Sequence, residues 1–198
     1  FVLNQVAREG TSYLYSQGSV NNNIGVPRPL SFLAKTHTGA VLEVGTNHFG
    51  ELAELAKISE PSGAIITNIG DSHLEFLRAR RGVLQAKWEL VEGLTGKGKT
   101  WFVNRDDPIL KRVEGEIHKG LRKISFSRRD PRADYYVGIV DKLGPEGNFG
   151  FRIRFSGAKM NEEIETDLRL PGLHNVQNAL AAFAVAVEFF GKSAAAIA

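Results

Sequence analysis

"TGAVLEVGTNHFGELAELAKISEPSGAIITNIG", residues 38–70, holds the fold in miniature. "TGAVLEVG" is a short apolar run that reads as a strand, and "GELAELAKI" repeats its apolar residues at helical spacing. "SGAIITNIG" is a second strand, rich in β-branched residues and bounded by Ser and Gly. Strand, helix and strand in that order predict parallel strands joined by a crossover helix. One residue resists the pattern: Glu43 puts a carboxylate where a buried strand should be ending.

The rhythm extends in both directions. "FVLNQVAREG" at residues 1–10 has the spacing of a helix tail, with Val2, Leu3 and Val6 on one face and Gly10 as its stop. Residues 11–26 are rich in Gly, Ser and Asn and read as loop, and Pro27 opens a short helix through Leu33. Beyond the second strand, "RRGVLQAKWELVEGL" is a helix and "KTWFVN" a strand. From residue 121 onward "LRKISFS", "DYYVGIV", "FGFRIRF" and "EEIETDLRL" follow one another across turn residues, which predicts a mostly antiparallel β section. "PGLHNVQNALAAFAVAVEFFG" closes as an Ala-rich helix ended by Gly191. The class is α/β: a mostly parallel sheet flanked by helices, with an added antiparallel β section.

The totals fit that class. A chain of 198 residues with 42% hydrophobic and 24% charged content can bury a real core. A net charge of +3 suits an anionic ligand without arguing for nucleic acid. The absence of cysteine excludes disulfides and thiolate metal sites. No stretch approaches the roughly 20 apolar residues that span a bilayer, so no membrane insertion is expected.

Residues 93–100, "GLTGKGKT", match the phosphate-loop pattern GxxxxGK[ST] letter for letter. That motif works only when a strand leads into the loop and a helix follows, so that N-terminal N–H groups face the phosphates. Here the order is reversed. The glycines read as a helix stop, with Lys97 and Lys99 near its negative end.

In an open parallel sheet, ligands bind beyond the carboxyl ends of the strands. Glu43 stands near such an end, and the second strand runs out through Asn68, Asp71 and His73. Carboxylate and imidazole together suit a hard divalent cation, although Asp71 also fits a helix cap and His73 a surface position. Lys87 interrupts the apolar stripe of Val83, Leu90 and Leu94. It reads equally as a stem covering the core or as a partly desolvated, reactive amine.

"NNNIGVP", "EVGTNHFGEL", "ITNIGDSHLE", "QAKWELVEGL", "VNRDDP" and "LPGLHNVQNALAA" occur in the order and spacing of the central ATPase domain of the Mur ligases. The chain resembles that family over nearly its whole length, and "EVGTNHFGE" looks most like the MurF type. The resemblance implies an ADP-forming ligase that joins D-Ala-D-Ala to UDP-N-acetylmuramoyl-tripeptide through an acyl phosphate, using ATP and Mg²⁺. It implies that Glu43 holds the magnesium bridging the ATP phosphates and that His73 binds a second. Lys87 matches the lysine that the family carbamylates, and a carbamate helps hold that second metal. Asn175 and Asn178, preceded by His174, would reach the adenine. Asn23 would lie near the phosphates and first substrate, and Asn47 and His48 near an incoming substrate. Asn104, with Asp106 and Asp107, would either orient the nucleotide or cap the segment that begins at Pro108.

The family's own phosphate loop, TGxxGKT[ST], does not occur in the 198 residues. The expectation is that residues 1–198 form the central domain alone, with that loop just upstream of Phe1 and the N- and C-terminal domains outside the chain. By itself the chain is then expected to be inactive. The resemblance further implies a cytoplasmic monomer that binds no nucleic acid. Another Mur ligase, a folylpolyglutamate synthase-like ligase and a non-catalytic nucleotide-binding module remain as alternatives.

Overall fold

The computed structural model describes residues 12–16, 21–71, 74–116, 120–191 and 193. The helix tail expected in "FVLNQVAREG" and the side chain of His73 lie outside these. The chain divides into two compact units. The first takes the described residues up to Trp101 and those of 118–122, and the second takes those of 102–117 and those from Lys123 on.

The first unit begins with β1 (Ser12–Tyr15), which pairs in parallel with β2 (His37–Val41), setting Tyr13 beside Gly39 and Tyr15 beside Val41. The composition of residues 11–26 predicted loop throughout. "SYLY" is nonetheless a strand, because its two tyrosines and leucine favour pleated backbone where the Gly, Ser and Asn around them do not. Between the two strands the chain turns at Asn22, whose Oδ1 accepts from the N–H groups of Ile24 and Gly25. A single helical turn follows, α1 (Pro27–Leu30), opened by its proline. It is shorter than the helix expected through Leu33. The strand β2 also stops early, at Val41, so Glu43 stands two residues past the strand rather than within it.

Helix α2 (Glu51–Ser59) starts at Gly50, whose φ of 90° is left-handed. It ends where Glu60 also turns left-handed and donates its N–H to Ala56 O. Leu52 and Leu55 bury against Val26, with Leu30, Leu42, Val44 and Leu90 around them, and this cluster fastens the segment leading from β2 into α2. The next elements are β3 (Gly63–Ile66), the single turn α3 (Leu74–Leu77) and α4 (Arg80–Glu92). Gly82 and Gly93 are packing glycines. A Cβ at Gly82 would fall 2.0 Å from Leu77 O, and one at Gly93 would fall 2.3 Å from the Cβ of Ala56.

The segment after α4 settles the "GLTGKGKT" question. It joins the end of α4 to β4 (Thr100–Asn104), so a helix precedes it and a strand follows. Gly96 and Gly98 take φ of 78° and 92°. Thr95 N donates to Pro61 O at 2.8 Å and Thr100 N to Ser62 O at 3.1 Å, which stitches the turn to the start of β3. Trp101 meets Trp88 edge-on, with ring centroids 4.8 Å apart.

The second unit begins within β4. Its strands run in the spatial order β4, β5 (Arg122–Ser127), β6 (Tyr135–Leu143), β7 (Gly150–Ser156) and β8 (Ile164–Leu168). The β section is mostly antiparallel, as its sequence predicted, with one parallel joint. β6–β7 and β7–β8 are antiparallel, whereas β5 and β6 run parallel and meet only at Phe126–Tyr135 and Ser127–Tyr136. A parallel pair normally needs a crossover of a dozen or more residues. Here β6 starts beside the point where β5 ends, so a short loop suffices. Asp106 holds that loop by accepting from Ser127 Oγ, Arg128 N and Arg129 N. Asp134 closes it from the other side, accepting from the N–H and hydroxyl of Ser125.

Along β7, Phe151, Ile153 and Phe155 are buried while Arg152 and Arg154 face outward to Asp167 and Glu165. Helix α5 (Pro108–Glu116) follows β4, and α6 (Leu173–Phe190) lies on the apolar face of the β section. There Phe183 stacks on Phe155 at 4.2 Å and meets Tyr135 edge-on at 6.0 Å. The buried face of α6 is mostly alanine (Ala179, Ala181, Ala182, Ala184 and Ala186), which lets a helix sit close to a sheet.

Candidate functional site

The predicted residues fall in two groups, one in each unit. In the first unit, Glu43 is exposed just past β2. Its N–H donates to Ser16 Oγ at 3.0 Å, and its Oε1 accepts from Asn21 Nδ2 at 3.1 Å. Asn21 also accepts Gly45 N–H at 2.7 Å through its main-chain oxygen. The sequence pointed to Asn23, which stands exposed in the turn at Asn22. Asn21, two residues earlier, is the asparagine that reaches the carboxylate. Among the described residues the second oxygen of Glu43 has no protein partner, which leaves a hard donor turned to solvent.

Lys87 is half-buried on α4, and its Nζ donates to Asn68 O at 2.9 Å, just past the end of β3. It lines a cavity of about 240 Å³ with Val44, Gly45, Thr46, Thr67 and Leu90. The residues just past β2 and those at the end of β3 therefore meet at the lysine. Asp71 points elsewhere: it makes a two-pronged ion pair with Arg80, both contacts 2.7 Å. That pairing holds its carboxyl below the usual range. Among the described residues no three His, Asp or Glu side chains converge.

Asn47 and His48 lie in the loop between Glu43 and α2, and two glutamates that the sequence reading passed over hold this loop. Glu51 Oε2 accepts the N–H groups of Asn47 and His48, at 2.7 and 3.1 Å, and the hydroxyl of Thr46 at 3.0 Å. Its Oε1 stands 3.3 Å from His48 Nδ1. Backbone hydrogen bonds, above all that from Asn47, bring the Glu51 pKa down to about 2. Glu89, one turn from the end of α4, accepts Gly50 N–H at 2.7 Å and Ala53 N–H at 3.2 Å. It is a capping carboxylate borrowed from another helix. Nothing in local sequence marks it, because its partners lie 36 and 39 residues away.

In the second unit, Asn104 is buried at the end of β4, and its Oδ1 accepts from Asp106 N at 2.9 Å and Gln177 Nε2 at 3.0 Å. Asp107 Oδ1 caps α5 by accepting from Ile109 N and Leu110 N. Asp107 thus takes the capping role within "VNRDDP". Gln177, on α6, is the partner that the sequence did not suggest. His174 and Asn178 are exposed near the start of α6, and half-buried Asn175 donates from Nδ2 to Pro171 O at 2.7 Å. Asn175 and Asn178 are one helical turn apart, as spacing required.

The site is thus an α/β unit whose strand ends present an exposed carboxylate and a half-buried lysine. The sequence matches the Mur ligase middle domain over residues 2–186, and the chain belongs to the Mur ligase family. It is 32% identical over 191 residues to the UDP-N-acetylmuramoyl-tripeptide–D-alanyl-D-alanine ligase of Haemophilus influenzae, covering 94% of this chain and 38% of that protein. The ligase of the same name from Escherichia coli is 32% identical over 176 residues, 88% of this chain and 37% of that protein. The chain thus spans under two fifths of the curated relatives it matches. Among solved structures, MurF from Acinetobacter baumannii superposes with a TM-score of 0.84 at 28% identity, over 99% of this chain and 41% of that one. MurF from Thermotoga maritima, solved in complex with ADP, shares the fold with a TM-score of 0.82 at 20% identity, over 97% and 42%. No helix among the described residues is long and apolar enough to cross a membrane.

Proposed function

We propose that this chain is the ATP-handling part of a ligase that joins D-Ala-D-Ala to UDP-N-acetylmuramoyl-tripeptide, releasing ADP and phosphate, in the making of peptidoglycan precursors. The observation that carries this reading is the 32% identity to the Haemophilus influenzae ligase of that name over 94% of the chain. In this reading a phosphoryl group passes to the terminal carboxylate of the tripeptide, the dipeptide amine attacks the acyl phosphate, and the tetrahedral intermediate collapses to an amide. The protein's task is to hold two anions together and offset their charge.

Glu43, with an oxygen clear of protein partners among the described residues, fits a magnesium ligand, and we assign His73 and a carbamylated Lys87 to the same set. Magnesium would supply charge neutralisation between phosphate and carboxylate. His174, Asn175, Asn178 and Asn104 are assigned to the nucleotide; side-chain amides suit adenine because they both donate and accept. Asn23 is assigned to the phosphates and the UDP-linked peptide, and Asn47 and His48 to the incoming dipeptide. The nucleotide-linked substrate places the reaction in the cytoplasm, and a monomer suffices for it. The test is ADP release by the complete gene product, which should require UDP-N-acetylmuramoyl-tripeptide, D-Ala-D-Ala and Mg-ATP together. Turnover with glutamate and a folate in place of the two peptides would favour the folylpolyglutamate synthase-like alternative.

A further inference from the structure

His48 and Glu51 form a pair that the family assignment does not explain. The Glu51 carboxylate can only accept hydrogen bonds, so the His48 nitrogen facing it, Nδ1, carries the proton. The neutral ring then presents Nε2 as a lone pair. The ring has room to use it, since the His48 side chain is 56% exposed. Its backbone is fixed as well, because Glu51 also binds the N–H groups of Asn47 and His48 and the hydroxyl of Thr46. Glu89 anchors Gly50 immediately downstream. An acceptor nitrogen backed by a carboxylate on a doubly braced loop is built to receive a proton.

The surroundings favour a cationic donor. Glu43 and Glu51 bracket the loop, and Thr46, within it, lines the cavity that Lys87 enters. Phe76 leans on the His48 ring, with centroids 4.4 Å apart, and is itself 47% exposed. It offers an apolar face to a small side chain beside the acceptor. An ammonium next to a methyl group, as in an alanyl amino terminus, matches both features.

We propose that His48, held in one tautomer by Glu51, is the proton acceptor for the incoming amine. The proposal rests on the ligase reading above. The ammonium gives one proton to Nε2, and the freed lone pair forms the C–N bond to the acyl carbon. The C–O bond to phosphate breaks on collapse, and the second N–H proton leaves with the phosphate. Glu51 is the positioning residue: it stabilises the imidazolium without itself accepting the proton.

The test uses the complete gene product with its peptide substrate and Mg-ATP at neutral pH, comparing D-Ala-D-Ala with hydroxylamine as nucleophile. Hydroxylamine is uncharged there and needs no proton acceptor. His48→Gln should lower amide formation by about a hundredfold, the usual contribution of a general base. Hydroxamate formation should stay within about twofold, because acyl phosphate formation is untouched. Glu51→Gln can still accept from the loop N–H groups, but its amide donates towards Nδ1 and drives the ring proton to Nε2. It should show the same split with at most a small drop in melting temperature, since solvent screening keeps the carboxylate's share of stability small. Equal losses with both nucleophiles, or no loss with either, would overturn the proposal. A wild-type protein that yields neither ADP nor hydroxamate would overturn the ligase reading, and this inference with it.

Discussion

The Nζ of Lys87 donates to the main-chain oxygen of Asn68 at 2.9 Å, which ties the middle of α4 to the residue just past β3. A carbonyl partner is compatible with either chemical state of the lysine. An ammonium has three N–H groups to give, and a carbamate keeps one. Modification would therefore preserve this anchor while replacing a cation by an anion in the cavity.

If Lys87 is carbamylated in the working enzyme, Lys87→Ala should lose activity by on the order of a hundredfold or more, as when one charge-stabilising group is removed. A short carboxylic acid should then restore part of the rate by occupying the vacated volume. Rescue by alkylamines instead would show that the lysine acts as a cation. The readout is ligation by the complete gene product with and without each additive.

Glu43 gives a second, separable prediction. Its side chain is exposed and packs no core, so Glu43→Ala should shift stability by no more than about 0.5 kcal/mol, the range of surface substitutions. Turnover should nonetheless collapse, with the loss relieved in part by raised magnesium. Thermal melting and a metal titration of activity decide it. A variant that unfolds in proportion to its lost activity would show that Glu43 serves the fold through Asn21 and Ser16.

The alternation of "GAVLEV" and "GAIIT" with "ELAELAKI" made the strand-helix-strand order legible, because each element's apolar period is set by its own core face. It did not make the pairing legible, since β2 pairs with β1 and β3 belongs to a separate sheet. The apolar stripe singled out Lys87 but left open whether its stem covers the core or its amine lines a site. What escaped were features made by partners far apart in sequence. Glu89 caps a helix 36 residues upstream, and Gln177 meets Asn104 across 73 residues. The parallel joint of β5 and β6 escaped as well, because strand direction depends on how the loop at Asp106 folds back and not on the strands' own composition. β1 was hidden by its neighbours' glycines and asparagines.

The phosphate-loop look-alike can be tested directly. Thr95 and Thr100 fasten the loop to the residues before β3, and the loop enters a strand rather than a helix. Lys99→Ala should therefore leave the KM for ATP within about threefold of the parent. A loss beyond about a hundredfold with the fold intact would mean that the loop does bind phosphate.

Glu89 offers a stability test of the brace. Its carboxylate accepts the N–H groups of Gly50 and Ala53 at the start of α2. Glu89→Ala should cost about 1 kcal/mol, the usual worth of an N-cap. Faster hydrogen exchange should be confined to those two amides and their neighbours. Uniform loss of protection through the unit would assign Glu89 to global packing instead.

The last prediction concerns pH and the carboxylate of Glu51. Hydrogen bonds from Asn47, His48 and Thr46 lower its pKa from 4.5 to about 2 in the folded chain. The sign follows from linkage: a carboxyl whose pKa is depressed by folding binds its proton more readily when unfolded. Its stabilising effect is therefore fully present above pH 4.5 and is lost as pH falls towards 2. The side chain is 42% exposed, so solvent screening keeps the energetic effect small even though the titration is displaced. Carboxyl-carbon NMR of the chain should find Glu51 titrating with a midpoint near 2. The amide signals of Asn47 and His48 should move with it, since both donate to the same oxygen. Glu51→Gln should flatten the stability profile across that interval. A midpoint near 4.5 would mean that the loop does not hold its donors on Glu51 in solution, and the tautomer assigned to His48 would lose its support.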